Sequence, residues 1–497
     1  MIKPQLRDYQ LDVQTKAKEA FKEGYKSVMA VVATGGGKTV IFSDLAEQVA
    51  RMNRRVWILT HREEIRLQTV KKLTEFGLVP GQIASGYPIT RNNIQVASVQ
   101  TLVNRLEVFD QMGLKPDFLI TDECHHSPAS TWKTIINYWD NVKHLGVTAT
   151  PQRTDGVGLN EVYDVMIQGP QTAELVARGF LCEPVVMSSP LTVELSSKKL
   201  RIKNNEYDKD EQSNMMSEKR IVNDTVDMYN KFFNGAPIVI FCCSVEDCEL
   251  VASAMRNQNW VCEVVKSGMD SEERKSHIEG LGNGKVNAVC SYDVISEGVD
   301  VPILAGCIMR RRTNSLTTYL QQAGRTLRLY EGKKQALIID QCGNIFIHGH
   351  PLEIREWDLY SKKRKPKKDA DDEIEVTQCP SCYVVLSGKP SVCSICGHVF
   401  NSKVDMQSSK NIDQIYADMQ IIRGPQISEI STTISDILSY SPENRDDVII
   451  DKIIADASSG DSVDTVQERL NALAAAFGKN SKWASHVWNK YIKTEVR

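Results

Sequence analysis

The chain has 497 residues, of which 41% are hydrophobic and 25% are charged, a composition typical of soluble globular proteins. This length predicts three or more domains, and the sequence contains no apolar run long enough for a membrane-spanning helix. Its 60 Lys and Arg side chains stand against 63 Asp and Glu, for a net charge of -3. Overall charge therefore gives no support to a nucleic-acid partner, and any basic surface is expected to be local.

A glycine-rich run follows the first apolar stretch of the chain. Val28–Val32 predicts a strand, and residues 33–39 read Ala-Thr-Gly-Gly-Gly-Lys-Thr. Glycines let backbone N–H groups turn toward a phosphate, a lysine adds positive charge, and a threonine hydroxyl suits Mg2+. The run therefore predicts a nucleoside triphosphate site, with a glycine turn that binds nothing as the alternative. The predicted phosphate-binding residues are Thr34, Gly35, Gly36, Gly37, Lys38 and Thr39.

A second apolar stretch, Phe118–Thr121, ends in the carboxylates Asp122 and Glu123. Asp122 can hold Mg2+ through its hydration shell, and Glu123 can orient and deprotonate an attacking water. A solvated strand end is the alternative for the pair taken alone. Because the pair follows a phosphate loop, the combination favours ATP hydrolysis.

The second half of the chain repeats the strand pattern and adds arginines. Pro237–Phe241 predicts a strand, and residues 321–328 read Gln-Gln-Ala-Gly-Arg-Thr-Leu-Arg. Guanidinium groups match phosphate oxygens in bidentate fashion, so Arg325 and Arg328 are candidate phosphate contacts. An ordinary basic helix is the alternative.

In this order the runs resemble the motifs of superfamily 2 helicases up to about residue 350. Residues 32–39 resemble motif I, Asp122–His125 motif II in its DECH form, Ile295–Asp300 motif V and Gln321–Arg328 motif VI. The resemblance implies an α/β fold with two tandem RecA-like parallel-sheet lobes, and ATP and Mg2+ as cofactors. It also implies that Arg325 and Arg328 of motif VI reach the γ-phosphate from the second lobe. Among the superfamily, the chain is similar to RadD-like and phage branch-migration (UvsW-like) DNA helicases.

The resemblance also assigns ATP contacts and coupling residues outside the phosphate loop. Leu6–Gln10 looks like the adenine-reading Q motif, with Gln10 as the base contact. The further ATP contacts implied by motifs V and VI are Gly298, Asp300 and Gln321. Thr148–Thr150 resembles motif III, which couples hydrolysis to strand movement, and the coupling residues so implied are His125, Thr148 and Thr150.

Nucleic-acid contacts are implied on the face away from the nucleotide, across both lobes. The residues so assigned are Thr60, His61, Arg62, Ser98, Gln100, Thr101 and Ser244. Backbone and hydroxyl groups of this kind grip phosphate and sugar, which carry no sequence information. The expected binding is therefore independent of sequence and falls steeply with salt.

Strand and helix patterns alternate in two stretches, which predict a first lobe over residues 1–165 and a second over 221–358. The weaker pattern between them, 166–220, predicts an exposed connection with a helix beginning at Glu218. Residues 359–378 predict a charged linker, whose basic block is either a flexible tether or a phosphate contact.

Four of the 13 cysteines form two CxxC pairs, Cys379 with Cys382 and Cys393 with Cys396. Each pair makes a tight turn whose thiolates converge, and two such turns complete a tetrahedral site that suits Zn2+. Residues 379–400 therefore predict a structural zinc ribbon, with two redox pairs as the alternative. The nine other cysteines are predicted to be reduced core residues.

Residues 401–497 predict helices, since apolar residues recur there at helical spacing. Aromatic and basic side chains over 483–493 form either a base-stacking platform or a small packed core. The stretch also resembles the tails of RadD-like helicases.

The leading hypothesis is an ATP-dependent DNA helicase or translocase that acts on forked or branched DNA in recombination, repair or replication. An RNA helicase is the first alternative, because the fold does not choose the substrate. An ATPase subunit of a restriction or defence assembly is the second, and would require a partner protein. A nucleotide-dependent scaffold is disfavoured by the complete hydrolytic set. The N-terminus carries no apolar signal stretch, which favours a bacterial or phage-infected cytoplasm.

Overall fold

The computed structural model describes residues 4–152, 158–188, 200–203, 205–293, 295 and 301–360, and then 376–379, 384–387, 390–393 and 395–400. It contains two compact units. One unit comprises Met1–Val185 with Leu195–Ile374, and the other comprises Val186–Glu194 with Glu375–Arg497. The helices expected over 401–497 lie outside the described residues, as do Gly298, Asp300 and Cys382.

A seven-stranded parallel sheet forms the first lobe, in the order β3-β4-β2-β5-β6-β1-β7. Its strands are β1 (Ser27–Val31), β2 (Val56–Thr60), β3 (Gly81–Ile83), β4 (Ile94–Ser98), β5 (Phe118–Asp122), β6 (Lys143–Thr148) and β7 (Val165–Gln168). All five residues of β2 and of β5 are buried. Such continuous apolar strands are typical of parallel sheets covered on both faces.

Helices cover both faces of this sheet. They are α1 (Asp8–Lys22), α2 (Lys38–Arg51), α3 (Glu63–Glu75), α4 (Val99–Leu102), α5 (Leu106–Gln111), α6 (Ser130–Tyr138) and α7 (Thr172–Ala177). One face buries a cluster that includes Val28, Ile58 and Leu145. On the other face Trp57 makes edge-on contacts with Phe109 and Trp139, with ring centroids 4.9 and 5.2 Å apart.

The second lobe is built on a six-stranded sheet in the order β12-β13-β11-β14-β15-β8. Its strands are β8 (Glu183–Met187), β11 (Ile238–Phe241), β12 (Cys262–Val265), β13 (Ala288–Ser291), β14 (Gly306–Met309) and β15 (Gln335–Asp340). The pairings from β12 through to β15 are parallel. Two parallel-sheet lobes in tandem confirm the predicted fold class, and β11 confirms the strand expected at 237–241.

The helices of the second half are α8 (Lys209–Met216), α9 (Lys219–Phe232), α10 (Val245–Asn257), α11 (Ser271–Gly282), α12 (Leu316–Thr326) and α13 (Asn344–His348). α9 follows Glu218 directly, as the sequence predicts. The nine cysteines outside the two CxxC pairs are all buried, which confirms them as core residues.

Part of the expected exposed connection is packed on the second lobe. A short antiparallel pair, β9 (Ile202–Lys203) and β10 (Glu206–Tyr207), precedes α8. α8 buries Met215 and Met216, and the Met216 carbonyl accepts a hydrogen bond of 2.8 Å from Arg310. The polar composition of residues 204–213 gave no indication of this packing, because the apolar residues that anchor α8 come after that stretch.

Arg310 is the centre of a buried polar network. Its guanidinium forms an ion pair with Asp247 at 2.6 Å, and both side chains are fully buried. It also donates to Thr225 and to the Ile221 carbonyl. A buried pair of this kind stabilises the fold only when its remaining donors are satisfied, as they are here.

The chain returns to the first lobe after completing the second. The backbone carbonyl of Leu359 accepts hydrogen bonds from Leu159 and Asn160, at 2.8 and 3.1 Å. Leu359 and Trp357 pack with Met29 and Cys124 of the first lobe. Two stretches of chain therefore join the lobes, one between β7 and β8 and the other at 349–360.

The described helices include none that is both long and apolar enough to span a membrane. In the second unit, β16 (Val376–Gln378) and β17 (Val385–Ser387) form an antiparallel hairpin.

Acid is expected to destabilise the first lobe through His144. Burial lowers the pKa of this side chain to about 3 from an ordinary 6.5, and its Nε2 lies 2.8 Å from the Thr121 hydroxyl. The unfolded chain binds the proton below pH 6.5 and the folded chain does not, so stability is lost as pH falls below 6.5. The expected loss is about 1.4 kcal/mol per pH unit.

Chemical denaturation between pH 7.5 and 5 measures this loss, and His144→Gln should flatten the dependence. His277→Gln, in the second lobe, is the control and should keep the wild-type slope. A wild-type slope in His144→Gln would contradict the assignment.

Candidate nucleotide site and nucleic-acid face

The carboxyl ends of β1, β5 and β6 lie side by side, because these parallel strands are neighbours in the first sheet. Loops that follow adjacent parallel strands meet at this edge, where α/β sheets bind ligands. The phosphate loop follows β1, the acidic pair closes β5, and the Thr148–Thr150 run closes β6. The predicted motifs I, II and III thus converge.

The phosphate loop has the backbone that its glycines permit. Gly35 and Gly37 have φ of 84° and 83°, in the left-handed region that L side chains rarely adopt. A Cβ on Gly35 would approach the Leu181 side chain to 2.8 Å. α2 begins at Lys38, so Lys38 and Thr39 form its first turn, where free backbone N–H groups favour an anion.

The Q-motif side chains are bound to this loop. Gln10 donates from Nε2 to the Gly36 carbonyl at 3.1 Å and accepts from the Arg7 backbone N–H at 2.9 Å. The Tyr9 hydroxyl donates to the same carbonyl at 2.9 Å. Both ends of the Gln10 amide are thus engaged by backbone, and its contact with a base stays a prediction.

Two residues that the sequence does not point to, Arg178 and Phe180, pack against Tyr9. Arg178 lies over the rings of Tyr9 and Phe180, at 5.6 and 5.1 Å from their centroids. Tyr9 and Arg178 line an opening of about 560 Å3, a size that suits a nucleoside. Arg178 and Phe180 follow α7, far along the chain from the Q motif, so only the fold brings them there.

The acidic pair is buried and its backbone is strained. Glu123 has φ of 49°, a left-handed conformation that costs a non-glycine residue about 1 kcal/mol or more. Its carboxylate lies 3.5 Å from the Lys38 ammonium, and Asp122 accepts a hydrogen bond from the Glu123 N–H at 3.0 Å. Buried oxygens of Asp122, together with the Thr39 hydroxyl, are ligands of the type that Mg2+ prefers.

The predicted coupling residues contact one another. His125 Nδ1 lies 3.1 Å from the Thr148 hydroxyl and 3.5 Å from the Glu123 carboxylate. The Thr148 hydroxyl donates to the Thr150 carbonyl and accepts from the Thr150 N–H, at 3.1 and 3.2 Å. Motifs II and III are therefore joined by side-chain contacts.

Helix α12 carries motif VI across from the second lobe to the phosphate loop. A Cβ on Gly324 would lie 2.5 Å from the Thr34 Cβ, so the helix backbone packs directly on the loop. Arg325 follows in the last turn of α12. Burial lowers the pKa of Arg328 to about 10, which leaves the guanidinium charged at neutral pH. Gln321 is buried on the same helix.

The predicted nucleic-acid residues of the first lobe form one group. Gln100 donates to the His61 carbonyl at 3.2 Å and lies 2.9 Å from the Ser98 hydroxyl. Thr60 ends β2, and Thr101 lies on α4. Arg62 crosses to the second lobe, where it donates to the Asp293 carbonyl at 2.7 Å.

Ser244 of the second lobe occupies a different kind of position. Its hydroxyl accepts from the Asp247 N–H at 3.0 Å and so caps α10. It also lies 2.8 Å from the Ser213 hydroxyl.

Three of the four predicted metal-binding cysteines come together in the second unit. The sulfur atoms of Cys379, Cys393 and Cys396 all lie within 4.8 Å of one another. The Gly397 N–H donates to the Cys393 carbonyl at 2.9 Å, which closes a tight turn, and Gly397 has φ of 74°. Converging thiols on such a turn fit a tetrahedral Zn2+ site.

Two family models match the two lobes. Residues 3–153 match the model described as Type III restriction enzyme, res subunit, and residues 222–330 match the Helicase conserved C-terminal domain. The second match contains motif VI, and the first contains motifs I to III.

Relatives extend over both lobes. The chain is 32% identical over 367 residues to a 51.5 kDa protein of a Lactococcus phage, which covers 74% of this chain and 77% of that one. It is 24% identical over 379 residues to the DNA 3'-5' translocase XPB2 of Sulfurisphaera tokodaii, covering 68% and 81%. This chain spans 52% and 58% of the length of two longer fungal relatives.

Among solved structures, a fragment of an HsdR subunit of a type I restriction enzyme from Vibrio vulnificus shares the fold. Its TM-score is 0.55 at 21% identity, with coverage of 69% of this chain and 67% of that chain. Two RecA-like lobes that carry these motifs in order, together with the two family matches, define a helicase-type ATPase. This chain belongs to the superfamily 2 helicases, and it is an ATP-hydrolysing helicase.

Close contact between Gly324 and Thr34 predicts that Gly324→Ala lowers ATP turnover. The added methyl group forces α12 away from the phosphate loop, and a displacement of this size reduces turnover by about tenfold or more. Steady-state kcat and KM for ATP measure the effect.

Gly282→Ala is the matched control, because a Cβ at Gly282 meets nothing within 4 Å. It should keep wild-type turnover and a wild-type melting temperature. Normal turnover in Gly324→Ala would contradict the packing of motif VI on the loop.

Proposed function

We propose that this chain is an ATP-dependent DNA helicase or translocase that acts on forked or branched DNA in recombination, repair or replication. The observation that carries the proposal is the packing of Gly324 of α12 on Thr34 of the phosphate loop, because α12 bears motif VI and this packing supports an ATP site shared by the two lobes. Support for DNA comes from relatives: XPB2 is named as a DNA translocase, and the first lobe matches a restriction-enzyme model.

Within this proposal each side chain has a distinct task at the ATP site. Lys38 and the loop N–H groups bind the phosphates, and Thr39 and Asp122 hold Mg2+. Glu123 orients and deprotonates the attacking water, and its 3.5 Å contact with the phosphate-binding Lys38 supports this role. Arg325 and Arg328 stabilise the charge that develops on the transferred phosphoryl group. Gln10, Gly298, Asp300 and Gln321 complete the ATP-binding set.

Movement would come from the cleft between the lobes. α12 contacts the phosphate loop through its backbone. Loss of the γ-phosphate after hydrolysis therefore removes the negative charge that holds Arg325 and Arg328 against the loop. Each cycle then closes and opens the cleft and advances one lobe along the strand. His125, Thr148 and Thr150 lie between the two sites and would carry the coupling.

Contacts with a nucleic-acid strand are assigned to the first-lobe group that contains Arg62 and to Ser244. The chain is acidic overall, so a basic strand-binding surface must be local, and Arg62 supplies positive charge within this group. Contacts to phosphate and sugar make this binding independent of sequence and sensitive to salt.

A second candidate is the motor subunit of a restriction or defence complex. The restriction-enzyme model and the HsdR fragment favour it. In such a complex translocation signals to a partner protein, and no strands are separated. We further place the chain in the cytoplasm of a bacterium or phage-infected cell, in keeping with its phage relative.

The domain limits follow the same reasoning. We assign residues 1–165 and 221–358 to the motor lobes, 166–220 to their connection and 359–378 to a linker. Residues 379–400 would be a ribbon that Zn2+ folds through Cys379, Cys382, Cys393 and Cys396, and 401–497 a helical region.

A panel of nucleic acids tests the main proposal. ATPase rate is measured without nucleic acid and with single-stranded DNA, forked DNA, a four-way junction and matched RNA, each at low and moderate salt. Forked or four-way DNA should give the largest stimulation, and salt should reduce it. Lys38→Ala is the control and should stay inactive in every condition.

The outcomes separate the candidates. Stimulation by RNA alone would replace the proposal with an RNA helicase. No stimulation by any of the four would favour a subunit that needs a partner protein.

Changing Cys393 and Cys396 together to serine tests the ribbon. The variant should lose about one zinc per chain, measured by atomic absorption after desalting, because a site of this kind needs all four thiolates. Its ATPase activity should survive, since the motor residues all precede residue 355. Cys182→Ser is the control and should keep the metal, and unchanged metal content in the double variant would refute the ribbon.

A further inference from the structure

Three histidine rings lie in a row beneath the candidate ATP site. The centroids of His125 and His126 are 4.2 Å apart, and those of His126 and His61 are 4.6 Å apart. Trp132 of α6 flanks His61, with centroids 6.4 Å apart, and is itself buried. His126 belongs to none of the site residues assigned above, yet it fills the space between the other two rings.

One end of this histidine row contacts the hydrolytic residues. His125 lies 3.5 Å from the Glu123 carboxylate and 3.1 Å from the Thr148 hydroxyl. The three residues Cys124–His126 form a 3-10 helix that follows Glu123 directly. Because Glu123 holds a left-handed backbone conformation, a shift of this short helix changes the direction of its carboxylate.

The other end contacts the strand-binding group. Arg62 donates from Nε to His61 Nε2 at 3.3 Å, so that ring nitrogen is the acceptor. The His61 carbonyl accepts from Gln100 at 3.2 Å. Arg62 also donates to the Asp293 carbonyl of the second lobe, and Asp293 forms an ion pair with Arg311.

Phosphate of a bound strand competes with the Asp293 carbonyl for Arg62, because a charged acceptor binds guanidinium more strongly than a neutral one. Movement of Arg62 toward phosphate alters its bond to His61. Flat rings in contact cannot be compressed, so displacement of His61 is passed to His126 and then to His125.

We propose that His126 and His61 are positioning residues that couple strand binding at Arg62 to the orientation of Glu123. The inference rests on the proposed function, since it needs an ATPase that nucleic acid stimulates. It adds a route that runs through side chains of one lobe, from His61 through His126 to motif II.

The test compares the full chain with His126→Ala, His61→Phe and the double variant. ATPase is measured against ATP concentration with saturating forked DNA, and DNA affinity is measured by fluorescence anisotropy. Each single variant should lower the kcat at saturating DNA by about tenfold, while KM for ATP changes by less than about twofold. Kd for DNA should change by less than about twofold in His126→Ala. His61→Phe alters an assigned strand contact, so its kcat is compared with wild type at a DNA concentration that saturates the variant. His61→Phe keeps a flat ring, somewhat larger than imidazole, and removes the nitrogen that accepts from Arg62.

The double variant distinguishes a route from two separate defects. If the residues act in series, its kcat falls by about tenfold, like either single variant, and not by the roughly hundredfold product. His126→Phe, which keeps a flat ring, should restore more than about half of the stimulated kcat. His277→Ala is the histidine control and should match wild type throughout.

Three results would each overturn the inference. They are a wild-type kcat in His126→Ala or His61→Phe, a double variant whose kcat loss equals the product of the two single losses, and a kcat loss that is explained by weaker DNA binding. Wild-type chain that no nucleic acid stimulates would instead overturn the proposed function. If His126→Ala does not fold, judged by its melting temperature, His61→Phe and His126→Phe decide the question.

Discussion

Backbone contact between Gly324 and Thr34 sets the distance between the two lobes at the nucleotide site. Any side chain at residue 324 would occupy the space of the Thr34 Cβ, so the helix that carries Arg325 can come this near only because Gly324 has none. The phosphate loop likewise needs residues without side chains, since Gly35 and Gly37 adopt left-handed conformations. Interlobe chemistry therefore depends on small residues that contribute shape and no functional group.

Much of the architecture could be predicted from local sequence. Strands such as Val56–Thr60 and Phe118–Asp122 are buried on both faces, so they read as continuous apolar runs that only a covered parallel sheet accommodates. The loops after them carry the chemistry because parallel strands deliver their carboxyl ends to one edge. Spacing of cysteines is equally local, and three of the four thiols converge as expected.

Contacts between distant segments could not be predicted in the same way. Arg178 and Phe180 reach Tyr9 through the fold alone, and nothing near Arg310 in the sequence indicates that it will be buried against Asp247. Gln10 was expected to face a base, but a sequence does not reveal that both ends of its amide bind backbone. His126 gave no signal because a histidine beside a motif resembles any other polar neighbour.

The return of the chain to the first lobe gives the two lobes a double attachment. One crossing lies between β7 and β8, and the second ends where Leu359 receives hydrogen bonds from Leu159 and Asn160. A body held at two points keeps one easy rotation, about the line that joins them, and resists twisting about the others. Two connections between the lobes therefore favour opening and closing about a single axis.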